Sequence, residues 1–240
     1  MKYSWGVGVV VADDPAKLTR DTSDTEYRLS EQLRPYLESV KKELIIFSPY
    51  FVPGKGGVAF LQALRDRGVR VRILTNSLSS TDVSAVHAGY SRYRKALLRM
   101  GVELYELNKE LSKEERKAMK EGGIGSSKAN LHAKSFVLDR SQVFIGSLNL
   151  DARSVIQNTE IGVVFESEEI AKRMADGFDR KIDQIAFHLE LRRDDQGREQ
   201  ITWHGLVDGK QQILTVDPYT SFWKRFGVGF MRMFPIESQI

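Results

Sequence analysis

The run Asn130-Leu131-His132-Ala133-Lys134-Ser135-Phe136-Val137-Leu138, followed by Asp139 and then by Gly146-Ser147-Leu148-Asn149, brings an imidazole, an ammonium and an amide into one short strand-turn segment. Side chains two apart on a strand project from the same face, so a continuous strand near 130 to 138 predicts His132 and Lys134 side by side. A second strand near 142 to 147 and a third from Thr159 to Phe165 are expected in the same sheet. Histidine titrates near neutrality and suits proton transfer or nucleophilic attack, and lysine offers a point charge to a phosphate.

The sequence upstream reads as strand, helix, strand, helix, strand. Leu44 to Ser48 is an apolar run suited to a buried strand and is closed by Pro49 and Pro53. A helix from about Gly57 to Arg67 stops at Gly68, and Val69, Val71 and Ile73 alternate with Arg70 and Arg72 as a second strand. A helix from Asp82 to Met100 and a strand from Val102 to Leu107 follow. Before them, Leu29, Leu33, Tyr36, Leu37 and Val40 recur at helical spacing, with Ser23 as a candidate cap. This alternation predicts an α/β layer fold, completed after residue 167 by a helix to about Ala186 and short strands near 201 to 207 and 211 to 216. Residues 1 to 23 read as a short strand plus linker, and the charged segment Asn108 to Lys128 as a surface helix and flexible loop.

The 240 residues suffice for one sizeable core. With 41% hydrophobic and 28% charged residues, the composition is that of a globular protein rather than a disordered or fibrous one. The absence of cysteine excludes disulfides and thiolate metal sites. No apolar run is long enough to span a bilayer and the N-terminus lacks the apolar core of a signal peptide, so a cytoplasmic or peripheral location is expected. A net charge of +4 favours anionic partners without choosing between lipid and nucleic acid.

The pattern His132-x-Lys134-x4-Asp139-x6-Gly146-Ser147-x-Asn149 resembles the HKD signature of the phospholipase D superfamily at every specified position. The wider string from Ser126 to Glu160, the segment Ser48-Pro49-Tyr50-Phe51-Val52-Pro53, the stretch Thr75 to Tyr90 and the ending Phe234-Pro235-Ile236-Glu237-Ser238 are similar to bacterial cardiolipin synthases of the C type, in particular to their C-terminal half. Most such enzymes carry two of these motifs in one polypeptide, and this chain carries one.

The resemblance implies a phospholipase D-like half, a mixed β-sheet flanked by helices on both faces, with residues 24 to 216 as its catalytic domain. It implies a metal-independent and cofactor-free phosphodiester exchange through a phosphohistidine. His132 would act as acid/base, with the nucleophilic histidine supplied by a second HKD half or by an identical partner chain. Lys134 and Asn149 would bind the phosphoryl oxygens, Ser147 would support the turn, and Glu160 would hydrogen-bond the imidazole. Asp139 belongs to the same catalytic signature, yet it lies past the strand's end, where a structural hydrogen-bonding role fits it better than a chemical one. Of the other histidines, His188 and His204 read as structural and His87 as the one with some claim to line the site.

The implied substrate is a phospholipid, phosphatidylglycerol with or without phosphatidylethanolamine, at the inner membrane surface. The tail bears on this directly. In residues 217 to 240, Phe222, Trp223, Phe226, Phe230, Met233 and Phe234 fall on one broad helical face beside Lys224, Arg225 and Arg232. That face suits a membrane interface, and it equally suits docking on the protein's own core. Two alternatives stay open: a single-motif homodimeric endonuclease, for which Arg70, Arg72, Arg92, Arg94 and Arg99 offer charge but no stacking array, and an inactive half-enzyme awaiting its first motif. Nucleic acid is the disfavoured partner.

Overall fold

The computed structural model describes residues 5–19, 21, 24–110, 126–127 and 130–234. Ten strands form one mixed sheet in the order β1-β9-β8-β7-β2-β3-β4-β10-β11-β12. These are β1 (Val7–Ala12), β2 (Glu43–Phe47), β3 (Arg70–Asn76), β4 (Glu103–Leu107), β7 (Ser135–Leu138), β8 (Gln142–Gly146), β9 (Ile161–Glu166), β10 (Ala186–Arg193), β11 (Glu199–Val207) and β12 (Lys210–Leu214). Only β2, β3 and β4 pair in parallel. Two further strands, β5 (Ser126–Ser127) and β6 (Asn130–Leu131), make a separate ribbon.

Alternation along the central strands divides the core between two faces. Ile45, Phe47, Leu74, Val137 and Val143 pack under α6 (Glu168–Ile185), against Ala171, Met174, Phe178 and Ile182. Leu44, Ile46, Ile73, Phe136 and Phe144 point the other way, towards α1 (Leu29–Glu38), α2 (Gly54–Asp66), α3 (Ser84–Ser91) and α4 (Arg94–Arg99). All five residues of β2 are buried because it is covered on both faces. Short α5 (Ala152–Ile156) and α7 (Phe222–Met231) complete the described helices.

The expected mixed sheet with helices on both faces is present, with several local corrections. The helix expected from Asp82 to Met100 is interrupted at Arg92 and Tyr93; beyond the break Arg94 enters a buried cluster with Glu106 and Asp217. Strand β10 was not expected: it continues from α6 without a breaking residue and pairs with β4 and β11. Helix α1 starts at Leu29, and the carboxylate of Asp13 accepts its first N–H at 2.7 Å, so a distant side chain does the work expected of Ser23, which itself lies outside the described residues. Most of the expected Asn108 to Lys128 helix and loop, and the ending beyond Phe234, also lie outside them.

The segment expected to be a linker is anchored. β1 pairs antiparallel with β9, and the turn after it carries a buried Lys17–Asp13 ion pair of 2.8 Å. Lys17 also donates to the carbonyls of Ser154 and Asn158 at 3.2 and 2.7 Å.

Candidate active site

Strand directions gather the signature residues at one end of the sheet. β7 runs antiparallel to β2 with Ser135 opposite Phe47, so the residues before Ser135 meet the chain leaving β2. β8 ends at Gly146, which pairs with Gly162 near the start of β9, and this brings Ser147 to Asn149 and Glu160 to the same rim. A Cβ at Gly146 would lie 2.6 Å from the Ile161 carbonyl oxygen and 2.8 Å from Gly162 Cα, so the close approach of these strands requires glycine.

The strand expected through 130 to 138 is broken between Leu131 and Ser135, which corrects the simple picture of His132 and Lys134 on one strand face. The cause is Asn76 at the end of β3. Its Oδ1 accepts the Leu131 N–H at 2.9 Å, and its Nδ2 donates to the Leu131 and Pro49 carbonyls at 3.4 and 3.3 Å. Leu131 is thereby tied to β3, and His132-Ala133-Lys134 crosses the rim as an extended connection. The Lys134 carbonyl accepts from Gly146 N at 3.1 Å, holding the connection to β8.

His132 is exposed, and among the described residues its side chain makes no hydrogen bond. Lys134 is half-buried; its Nζ donates to the His132 carbonyl at 3.4 Å, and among the described residues no carboxylate lies within ion-pair distance. Burial pushes the Lys134 pKa below the usual lysine value of 10.5, against the opposing pull of Glu160, Asp151 and Asp82. A partly desolvated ammonium facing carboxylates without pairing any of them is a point charge open to an anionic ligand.

Glu160 is buried and occupied. Its carboxylate accepts from Ser147 Oγ and from Asn158 Nδ2, the latter at 3.2 Å, and its own N–H donates to Asp13 at 2.8 Å. The expected Glu160–His132 hydrogen bond is not made here; Ser147 and Asn158 hold the carboxylate, and the Ser147 hydroxyl in turn accepts the Ile161 N–H at 3.1 Å, locking the turn after β8. Asn149 lies in that turn with its Oδ1 buried and without a partner among the described residues. Rotating the amide exchanges oxygen for nitrogen, so the same position offers either an acceptor or a donor to a ligand.

Asp139 stands at the other end of β7, about 16 Å of extended chain from Lys134. Its carboxylate accepts three backbone N–H groups, from Lys41, Lys42 and Glu43, at 2.8–2.9 Å. Through them Asp139 fastens the start of β2. His87 is buried on α3, 3.4 Å from Asp217, in the cluster with Arg94. His188 stacks on Tyr105, and His204 hydrogen-bonds Thr202 at 2.9 Å.

Several residues at the rim had no motif to mark them. Asn76 positions the histidine segment, and Lys17 with Asp13 braces the Glu160 side. Tyr50 donates to Asp82 at 2.7 Å, and burial together with that carboxylate pushes its pKa up to about 12, so it stays a donor. Ser48 and Tyr50 meet Leu150, joining the end of β2 to the residue after Asn149. The family resemblance of Ser48 to Pro53 and of Thr75 to Tyr90, which includes Asn76 and Asp82, was the available signal. Among the described residues no three His, Asp or Glu side chains converge as metal ligands.

The family described as "Cardiolipin synthase, PLD-like domain" matches residues 33–182. Over 97% of its length the chain is 42% identical to cardiolipin synthase C of Escherichia coli (strain K12), of which it covers 48%; it therefore spans about half the length of that relative. Among solved structures, phosphatidylserine synthase from Haemophilus influenzae Rd KW20 superposes with a TM-score of 0.57 at 14% identity, over 76% of this chain and 40% of that one. Nuc, a phospholipase D family member from Salmonella typhimurium, gives 0.52 at 16% identity, over 80% of this chain and 98% of that one. At such identities these likenesses speak for the fold. The family match, by contrast, runs through His132, Lys134, Asn149 and Glu160, and the chain belongs to the phospholipase D-like cardiolipin synthase family.

Proposed function

We propose that this chain supplies one half of a phosphodiester-exchange site that moves a phosphatidyl group between phospholipids, with hydrolysis as the same chemistry when water is the acceptor. The observation that carries the reading is the convergence of His132, Lys134, Ser147, Asn149 and Glu160 on one rim around a lysine that pairs with no carboxylate among the described residues. A histidine from a second HKD half, or from an identical chain, attacks phosphorus and the bond to the leaving alcohol breaks. His132 gives that alkoxide its proton. It then takes the proton of the incoming hydroxyl, which attacks the phosphohistidine and frees the first histidine. Lys134 and the Asn149 amide stabilise charge on the phosphoryl oxygens throughout.

The test is lipid mass spectrometry after incubation with phosphatidylglycerol vesicles, with and without phosphatidylethanolamine, beside His132→Ala. Cardiolipin formed only by the unmutated chain, at the same rate after EDTA treatment, is the expected result. A product that persists in His132→Ala, or a rate that returns only with added divalent metal, overturns the reading.

A peripheral place on the inner membrane surface fits the tail. Val228 of α7 packs on Leu78 and Ala88, beyond the end of β3, so the helix is fixed to the rim side of the sheet. Phe222, Trp223 and Phe226 are 59–74% exposed. Among the described residues no helix is long and apolar enough to cross a membrane. The endonuclease reading draws little support, because its arginines are committed within the fold: Arg70 to Glu103, Arg72 to Glu43, Arg94 to Glu106 and Asp217, Arg99 to Glu199, and Arg92 to the carbonyls of Arg232 and Phe234.

A further inference from the structure

The reacting phosphate accounts for only one end of a phospholipid. On the sheet face opposite α6, a cavity of about 490 Å³ lies between α1, α2 and α5, within the size range of small-molecule sites. Its floor and walls are apolar, formed by Ile46, Phe51, Phe60, Phe136, Leu150 and Val155. Its polar lining includes Arg34, paired with Glu31 at 2.7 Å.

The cavity adjoins the candidate active site through Leu150 and Asp151. Asp151 forms part of its wall, sits two residues after Asn149, and its charge acts on Lys134. Phe51 and Leu150, both lining residues, are bridged to each other directly beyond Tyr50 and Asn149. The wall along α2 includes Gly56, where an added Cβ would meet no atom within 4 Å, so the backbone there leaves the space open.

We propose that this cavity holds one acyl chain of the phosphatidyl group whose phosphate is bound at Lys134, an inference that rests on the phospholipid reading above. An apolar cavity walled by Leu150 and Asp151, the residues that follow Asn149, matches the amphiphile that reading requires: charge at the rim, hydrocarbon beside it.

Calorimetric titration of the full chain with glycerophosphoglycerol and with monomeric dibutanoyl-, dihexanoyl- and dioctanoyl-phosphatidylglycerol tests it. Affinity is expected to rise about two- to fourfold for each buried methylene. Gly56→Phe, which fills open space on a helix, should flatten that rise and leave glycerophosphoglycerol binding unchanged. Replacing Phe222 and Trp223 by serine should leave the rise intact, since a single monomeric lipid does not need the tail. Headgroup binding with no chain-length dependence, or an equal rise in Gly56→Phe, overturns the cavity assignment and spares the phosphodiesterase reading. Failure of every ligand to bind or to shift the His132 imidazole resonances overturns both. An undiminished lipid series in Gly56→Phe together with altered self-association would give the cavity to a second protein chain instead.

Discussion

At the end of the sheet where β2 and β3 begin, the charges around Glu43 are tightly matched; at the end where those strands finish, Lys17 with Asp13 and Arg94 with Glu106 and Asp217 are matched too, but Lys134 is not. Arg72 is paired with Glu43 at 2.6 Å and with Asp179, while Arg140 reaches Glu43 at 2.7 Å, Asp179 at 2.7 Å and Asp176 at 3.1 Å. Asp139 adds its three backbone hydrogen bonds at the same end. Opposite, Lys134 faces Glu160, Asp151 and Asp82 without an ion pair, and Asn149 keeps a buried oxygen without a partner among the described residues. Satisfied charge stabilises a fold, whereas charge held partly desolvated and unpaired costs stability and is retained where a ligand completes it. The HKD signature spans both ends, with its histidine and lysine on one and its aspartate on the other.

The comparison breaks most sharply at His132. His132→Ala should lower turnover by about 10²–10⁴-fold and leave the melting temperature unchanged, because the side chain is exposed and unbonded; lipid product analysis beside a thermal melt checks both. At the other end, Arg72→Met removes a buried cation from Glu43 and Asp179 and should cost about 3 kcal/mol of stability, measured by urea unfolding, with turnover per folded molecule retained. Burial raises the Asp179 pKa, but hydrogen bonds from Arg72 and Arg140 outweigh it and leave the value below the usual 3.8. Its stabilising contribution is therefore complete above that pH and is lost as pH falls through the lowered value.

Asp139→Ala sharpens the point, since it alters a signature residue. Leaving three N–H groups to find water should cost about 1–3 kcal/mol, with kcat of the folded fraction unchanged; a loss of kcat without a loss of stability would return Asp139 to the chemistry. The smallest stability effect is expected at Lys134. Because its folded pKa is lowered, the charged form is penalised below that pKa and the penalty fades as pH rises towards 10.5. Lys134→Met should thus raise the melting temperature slightly at neutral pH while abolishing turnover. In the unmutated protein the alkaline limb of activity should fall below the usual lysine range, which a pH–rate profile reads directly.

Much of this was legible from residue order. The alternating strands and helices from Leu44 to Leu107 specify an α/β sheet, and the spacing from His132 to Glu160 carries the family resemblance, because periodicity and short-range spacing are local properties. Strand β10 escaped notice because Phe187 and Leu189 alternate with His188 and Glu190 directly after α6, with no turn residue to mark the change of period. Asp13 and Lys17 carry no motif at all and Asn76 is marked only by the family resemblance of its segment; the partners that bind them to the rim, Leu131, Glu160 and Asn158, lie 55 to 147 residues away.

The sequence by itself determined the fold class and the family and named the candidate site residues, since hydrophobic period and a rare combination of residues at set spacing survive without coordinates. Only the tertiary structure decided that Asp139 belongs to the paired end of the sheet, that Glu160 is held by Ser147, that the histidine segment leaves the strand under Asn76, and that an apolar cavity lies beside the lysine. Each of those depends on which strands become neighbours, and strand pairing is settled by packing across the whole sheet rather than by any one segment.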